Sequence, residues 1–157
     1  MIAVGKFSTQ PVVRFTSRWQ VSVQEPLSFH DPKHGLLTVP AGFDSDLASI
    51  RILREVSRAA WLLSLACWFF AWSWVANTLL VLAIGSLALY ALLAGYGLRA
   101  AILHDWLYTT ALLPRAAADA VFYRALRTGD GTARWRALFF WVGVRVGGIY
   151  AYSIAPV

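Results

Sequence analysis

From Ala59 to Leu98 this chain runs for 40 residues without a charged side chain. A bilayer core about 30 Å thick takes about 20 apolar residues per helix, so the stretch is long enough for two helices with a break between them. Asn77 is the natural break, with Ala59–Ala76 on one side and Thr78–Leu98 on the other. Trp72 and Trp74 lie just before it, while Trp61 and Tyr96 lie near the charged ends, where membrane–water interfaces favour amphipathic rings. The expectation is a transmembrane helical hairpin, residues 59–98, inserted into one small polar domain built from residues 1–58 and 99–157. Arg51, Arg54 and Arg58 precede the hairpin and Arg99 follows it. An excess of Arg in short flanks marks the cytoplasmic side, which places both ends there with only the turn crossing. The contrasting reading is a hydrophobic helical pair buried in a large oligomer or inside a virion.

Outside this stretch the composition is that of a modest globular domain. Hydrophobic residues make up 59% of the chain, charged residues 14%, and the net charge is +6. The basic excess is nearly all Arg (12 Arg against 2 Lys) and is dispersed, with no basic run interleaved with aromatics. Nucleic acid is therefore not an expected partner, whereas anionic lipid headgroups suit scattered Arg near a membrane. Cys67 is the only cysteine, which excludes disulfides and Cys-based zinc sites within one chain. The first ten residues, interrupted by Lys6, lack the apolar core of a signal peptide.

The polar parts imply an α+β fold, with a small antiparallel sheet or hairpin packed on a C-terminal helical part. Trp19, Val21 and Val23 alternate with Gln20, Ser22 and Gln24, a strand period of two. The patch His30-Asp31-Pro32-Lys33-His34-Gly35 reads as a turn, and Leu36–Pro40 as a further extended run. Its two His and one Asp are a weaker candidate for metal than for a solvated turn. Beyond the hairpin, Ala100–Thr110 and Ala116–Arg127 read as helices. Pro114 suits a first turn, and Gly129 and Gly131 suit the stop, with Asp130 between them as a turn residue. Ala133–Tyr152 is a third helical run, apolar but interrupted by Arg145, and reads as a core or interface helix rather than a third span.

The eight acidic residues are few enough to examine singly. Asp44 and Asp46 fall in VPAGFDSDLASI, while Asp105 and Asp119 fall in LHDWLYTTALLPRAAADAVFYRAL in the helical part. His104 and Asp105 are adjacent, so on a helix they point about 100° apart; His104 and Tyr108, four apart, share a face. Arg115 and Asp119, also four apart, are spaced for an intrahelical ion pair.

These segments carry a family resemblance. Val39–Ile50 resembles the opening signature of the DUF1353 family, uncharacterised proteins common in tailed phages and prophages. Ala101-Ile102-Leu103-His104-Asp105-Trp106-Leu107-Tyr108 is similar to its second signature. Arg115, Ala118, Asp119 and Phe122 match a third, and Ala137–Tyr150, with Arg145, resembles its last helix. Two departures stand out: Arg51 where the family usually has Pro, and the hydrophobic stretch where it usually has a short polar linker. The resemblance implies a phage or prophage origin but no reaction.

Two kinds of function are compatible with the residues. One is a metal-dependent hydrolase, with Asp46, His104, Asp105 and Asp119 as candidate catalytic residues. Asp46, His104 and Asp105 would then be ligands for a divalent ion such as Zn, Mn or Mg, whose bound water is the nucleophile. The other is a non-enzymatic protein acting on the bilayer, a host membrane protein or the virion tail. In that reading Ser49, Tyr108, Arg115 and Arg145 join the same Asp and His residues in a polar structural network, Asp46 and Ser49 cap a helix, and Arg145 takes a carboxylate partner. The expected setting is the host inner membrane with the polar domain facing the cytoplasm, or alternatively the virion.

Overall fold

The computed structural model describes residues 5–17, 20–46, 48–93, 96–147 and 152, and the side chains of all of these except 48–54, 56, 89, 92, 93 and 147. Ser49 and Trp19 therefore lie outside the side chains described. The chain divides into two compact units, Met1–Ser49 with Gly95–Val157, and Ile50–Ala94. The first is an α+β head and the second a helical hairpin.

Among the described residues the head begins with six short strands: β1 (Lys6–Phe7), β2 (Val13–Phe15), β3 (Val21–Val23), β4 (Leu27–Asp31), β5 (Gly35–Val39) and β6 (Asp44–Ser45). They form two antiparallel three-stranded sheets, ordered β1-β4-β5 and β2-β3-β6. The two-residue period holds where it was read: Val21 and Val23 are buried on β3, and Leu27, Phe29, Leu37 and Val39 are buried across the β4–β5 pair. On the same pair Ser28 and Thr38 face each other and share a hydrogen bond of 2.9 Å. The turn patch is shorter than its sequence suggests. His30 belongs to β4 and is exposed, His34 is exposed in the turn, and Asp31 between them points inward, so the three do not converge.

Among the described residues three helices complete the head: α3 (Leu98–Thr110), α4 (Arg115–Arg124) and α5 (Arg134–Gly147). Pro114 sits directly before α4, as its fixed φ favours. After Arg124 the chain widens into a π-helical turn, Ala125–Gly129. Gly129 lies so close to the Phe7 ring that a Cβ there would overlap it. α4 packs between α3 and α5, β5 and β6 rest on α3, and β1 and β4 rest on the π turn. Phe29, Ile102, Leu103, Leu107, Val121, Phe122 and Leu126 form the fully buried centre. The start of α3 has no side-chain cap of its own, and Gly97 before it adopts φ 76°. Asp130 supplies the cap from across the head: one oxygen accepts the Ala100 N–H at 3.0 Å and the other pairs with Arg99 Nε at 2.6 Å.

The hairpin consists of α1 (Ala48–Phe69) and α2 (Ser73–Leu93). Its turn is at Phe70–Trp72, not at Asn77, which lies inside α2. Ala71 takes φ 57°, and the Trp72 N–H bonds the Cys67 carbonyl at 2.9 Å to close the end of α1. Asn77 is a poor helix former, but one such residue does not stop a helix that Ala76, Leu79, Leu80 and Leu82 favour. This earlier turn changes the membrane reading. The uncharged part of α1 shrinks to Ala59–Phe69, about 16 Å at 1.5 Å per residue. Of the second stretch, residues 78–93 lie in α2 and only Leu98 in α3. Among the described residues no helix is long and apolar enough to cross a membrane, and the pair of spans expected over 59–98 is not supported.

Within the hairpin the usual polarity is reversed. Ser57, Ala60, Ser64, Ala76, Ala83 and Ser86 are buried, while Trp61, Leu62, Leu65, Trp68, Phe69, Trp74, Leu82 and Ile84 are exposed. Ser64 Oγ donates to the Ala76 carbonyl and Ser57 Oγ to the Ala83 carbonyl, each at 2.9 Å, stitching α1 to α2.

Candidate functional site

The head's polar centre is Asp119. α4 places it facing inward, 0% exposed, among Ala118, Val121 and Phe122. On α3, His104 and Tyr108 lie one turn apart on a shared face, as their spacing requires. His104 Nε2 is 3.1 Å from Asp119 Oδ1, and the Tyr108 hydroxyl donates to the same oxygen at 2.5 Å. Arg145 of α5 donates from Nη1 to Oδ2 at 3.1 Å. One carboxylate thus joins all three helices of the head.

Ring packing closes the surroundings. The His104 ring lies 4.0 Å from that of Tyr108 and 4.6 Å from that of Phe122, centroid to centroid. Tyr152 meets Tyr108 edge-on at 5.3 Å and donates to the Leu113 carbonyl at 3.0 Å. Arg115 does not pair with Asp119. Its Nη2 donates instead to the carbonyls of Val144 and Arg145, in the last turn of α5, where a cation also suits the helix dipole.

The protonation states follow from this packing. Burial would raise the pKa of Asp119, but hydrogen bonds from His104, Tyr108 and Arg145 outweigh it and hold the carboxyl below its ordinary 3.8. Burial drives the His104 pKa below 6.5 despite the opposing pull of Asp119. The imidazole is therefore neutral near pH 7 and presents an Nε2 proton to the carboxylate. Tyr108 is pushed up to about 12, first by burial and then by the bond to Asp119.

The remaining candidates are distributed elsewhere. Asp105, on the neighbouring face of α3, accepts a hydrogen bond from Ser45 of β6. This links sheet to helix through a serine that no sequence signal singled out. Asp46 is exposed beyond β6 and stands outside the Asp119 group. His104 and Asp105 thus serve different partners on different faces, as adjacent helical residues must. Among the described residues no group of three or more His, Cys, Asp and Glu is placed to hold a metal ion. Two further paired carboxylates were not anticipated: the half-buried Asp130 at the start of α3, and the buried Asp31, which receives Arg124. A separate cleft of about 480 Å³ runs beside β1, lined by residues 5–10 with Arg99, Thr128 and Gly129. The guanidinium on its wall is already committed to Asp130, Gln10 and the Gly129 carbonyl.

A three-helix layer knotted by one carboxylate and backed by two small sheets defines an α+β domain with a closed polar core. Residues 86–144 match the family model described as a protein of unknown function (DUF1353). The match covers somewhat over a third of the chain and takes in His104, Asp105, Tyr108, Arg115 and Asp119, but not Val39–Ile50; Arg145 lies one residue beyond it. Neither a curated protein nor a solved structure matches the chain.

Proposed function

We propose that this chain is a DUF1353-type protein of phage or prophage origin, anchored to a membrane by its hairpin, with a head that the Asp119 knot makes rigid rather than catalytic. The observation that carries the anchoring is the hairpin's reversed polarity. Small and hydroxyl-bearing residues fill the helix–helix contact and satisfy their hydrogen bonds internally, while Trp, Phe, Leu and Ile face outward. That is the arrangement lipid selects, because tails solvate large apolar side chains while small residues let helices approach closely. The uncharged length of α1 is about half the thickness of a bilayer core, so the hairpin dips tip-first into one leaflet, with Phe69, Phe70, Trp72 and Trp74 at its tip. The Arg-bearing ends stay in water, and the positive-inside tendency favours the cytoplasmic face of the host inner membrane.

The head's role is argued from Asp119. A catalytic metal needs carboxylate oxygens with free lone pairs directed at the ion, whereas both oxygens of Asp119 already receive donors from three side chains. The test has two arms on the full chain. Alkaline washing should leave the protein with vesicles; release into the supernatant overturns the anchoring. Metal analysis after exposure to Zn, Mn or Mg should find no stoichiometric ion. A bound ion that is lost in both Asp46→Ala and His104→Ala would overturn the structural role and favour a hydrolase. Recovery of the chain in purified particles, and not in host membranes, would move the same apolar surface to a virion contact.

A further inference from the structure

The head carries an apolar surface of its own. The inner face of α5, formed by Ala137, Phe140 and Val144, is buried, whereas Trp135, Leu138, Phe139, Val142 and Val146 are exposed. Their steps of three and four residues make one continuous stripe along the helix. Trp135 and Phe139 meet edge-on at 6.1 Å at its beginning. Arg134 and Arg136 stand at the same end, and no acidic residue follows Asp130 in the sequence. The Arg136 guanidinium lies 4.1 Å over the ring of Tyr96 and 4.9 Å from that of Trp135. Tyr96 is the second residue after Ala94, where the hairpin unit ends. The stacked cation therefore ties the start of α5 to the segment that leads into α3, within the head.

We propose that the outer face of α5 lies flat in the headgroup–acyl boundary of a membrane containing anionic lipid, with Arg134 and Arg136 at the lipid phosphates. This rests on the reading of the hairpin as a bilayer anchor and adds to it the lipid class and a second point of attachment. An apolar stripe with an aromatic pair and basic flanks is the pattern of a helix lying in a membrane interface. A second copy of the chain fits the stripe less well: two α5 helices face to face would bring Arg-rich surfaces together without an acidic residue on either to receive them. Anionic lipid supplies that countercharge.

The test uses the full chain with Cys67→Ser and an environment-sensitive fluorophore on Val142→Cys, repeated on Leu138→Cys. It is reconstituted in phosphatidylcholine vesicles with or without phosphatidylglycerol, and brominated lipid serves as quencher. Both labels should be quenched several-fold more strongly when phosphatidylglycerol is present. A label on Leu36→Cys, exposed on β5, should stay unquenched, and Arg134→Gln should weaken the dependence on anionic lipid. Unquenched labels on a chain that alkaline washing leaves on the vesicles overturn this inference and spare the anchor. A chain that is washed off overturns both. Label protection that appears without lipid and grows with protein concentration assigns the stripe to a second copy and overturns the inference as well.

Discussion

Arg124 and Asp31, 93 positions apart in the chain, meet as a two-pronged ion pair: Nε reaches Oδ1 at 2.7 Å and Nη2 reaches Oδ2 at 3.0 Å. Asp31 Oδ2 also accepts the backbone N–H groups of Lys33 and His34, so one carboxylate shapes the β4–β5 turn and fastens it to α4. Asp31→Ala would orphan the guanidinium and both turn amides. Breaking a buried pair in this way costs about 3–5 kcal/mol, and the partial exposure of Arg124 puts the expected loss near the lower end. Urea unfolding of the detergent-solubilised chain measures it. Arg124→Lys in the otherwise intact chain should also lose stability, though less, because an ammonium keeps the charge but cannot reproduce the fork.

At Asp119 the three donors differ in what they leave behind. Tyr108→Phe removes one bond to a charged acceptor together with the hydroxyl's contact with Arg115, and a loss of about 1.5–3 kcal/mol is expected. Asp119→Ala strands His104, Tyr108 and Arg145 together and should cost more, despite the partial exposure of Arg145. Equal losses in the two variants, read from the same unfolding curves, would refute the central place given to this carboxylate.

Stability should fall on both sides of neutrality, for different groups. Asp31, Asp119 and His104 all have depressed pKa values, so the unfolded chain takes up their protons more readily than the folded one. Their contributions are complete above the unfolded values and are lost as pH falls, starting below 6.5 for His104 and below 3.8 for the two carboxyls. Tyr108 has the opposite sign: its contribution is whole below pH 10 and disappears as pH rises toward about 12. Unfolding free energies measured across the pH range should flatten just below pH 6.5 in His104→Gln; an unchanged slope there would count against a buried neutral imidazole.

Gly97 combines two requirements. Its φ is 76°, and a Cβ there would run into the Leu126 side chain. Gly97→Ala is expected to cost about 1–2 kcal/mol for the left-handed backbone alone, with the overlap added to it. In the Leu126→Ala background the overlap vanishes and the backbone part remains. The double-mutant cycle should therefore show a coupling between the two positions, whereas additive losses would place the whole effect in the backbone.

How much of this was legible in the sequence depended on whether the signal was local. The alternation at Val21 and Val23 marked β3, Pro114 marked the start of α4, and the spacing of His104 and Tyr108 put both on the face that meets Asp119. Arg145 needed a carboxylate, and Asp119 supplies it. Pairings across the fold were hidden, since nothing near Asp31, Asp130 or Ser45 indicates that Arg124, Arg99 and Asp105 come to them. The intrahelical pair of Arg115 with Asp119 is a reasonable local expectation, but the guanidinium donates to the Val144 and Arg145 carbonyls of α5 instead. The hairpin turn was misplaced for a related reason. Polarity drew attention to Asn77, whereas the chain reverses at Phe70–Trp72, among aromatic residues that carry no turn signal.

The head is one folded body written in two separated stretches of chain, Met1–Ser49 and Gly95–Val157. On the ribosome the six strands emerge first and cannot complete their core, because Ile102, Phe122 and Leu126 are still to be made. The nascent strands must wait through the synthesis of α1 and α2, so any meeting of the hairpin with lipid comes before the head can close.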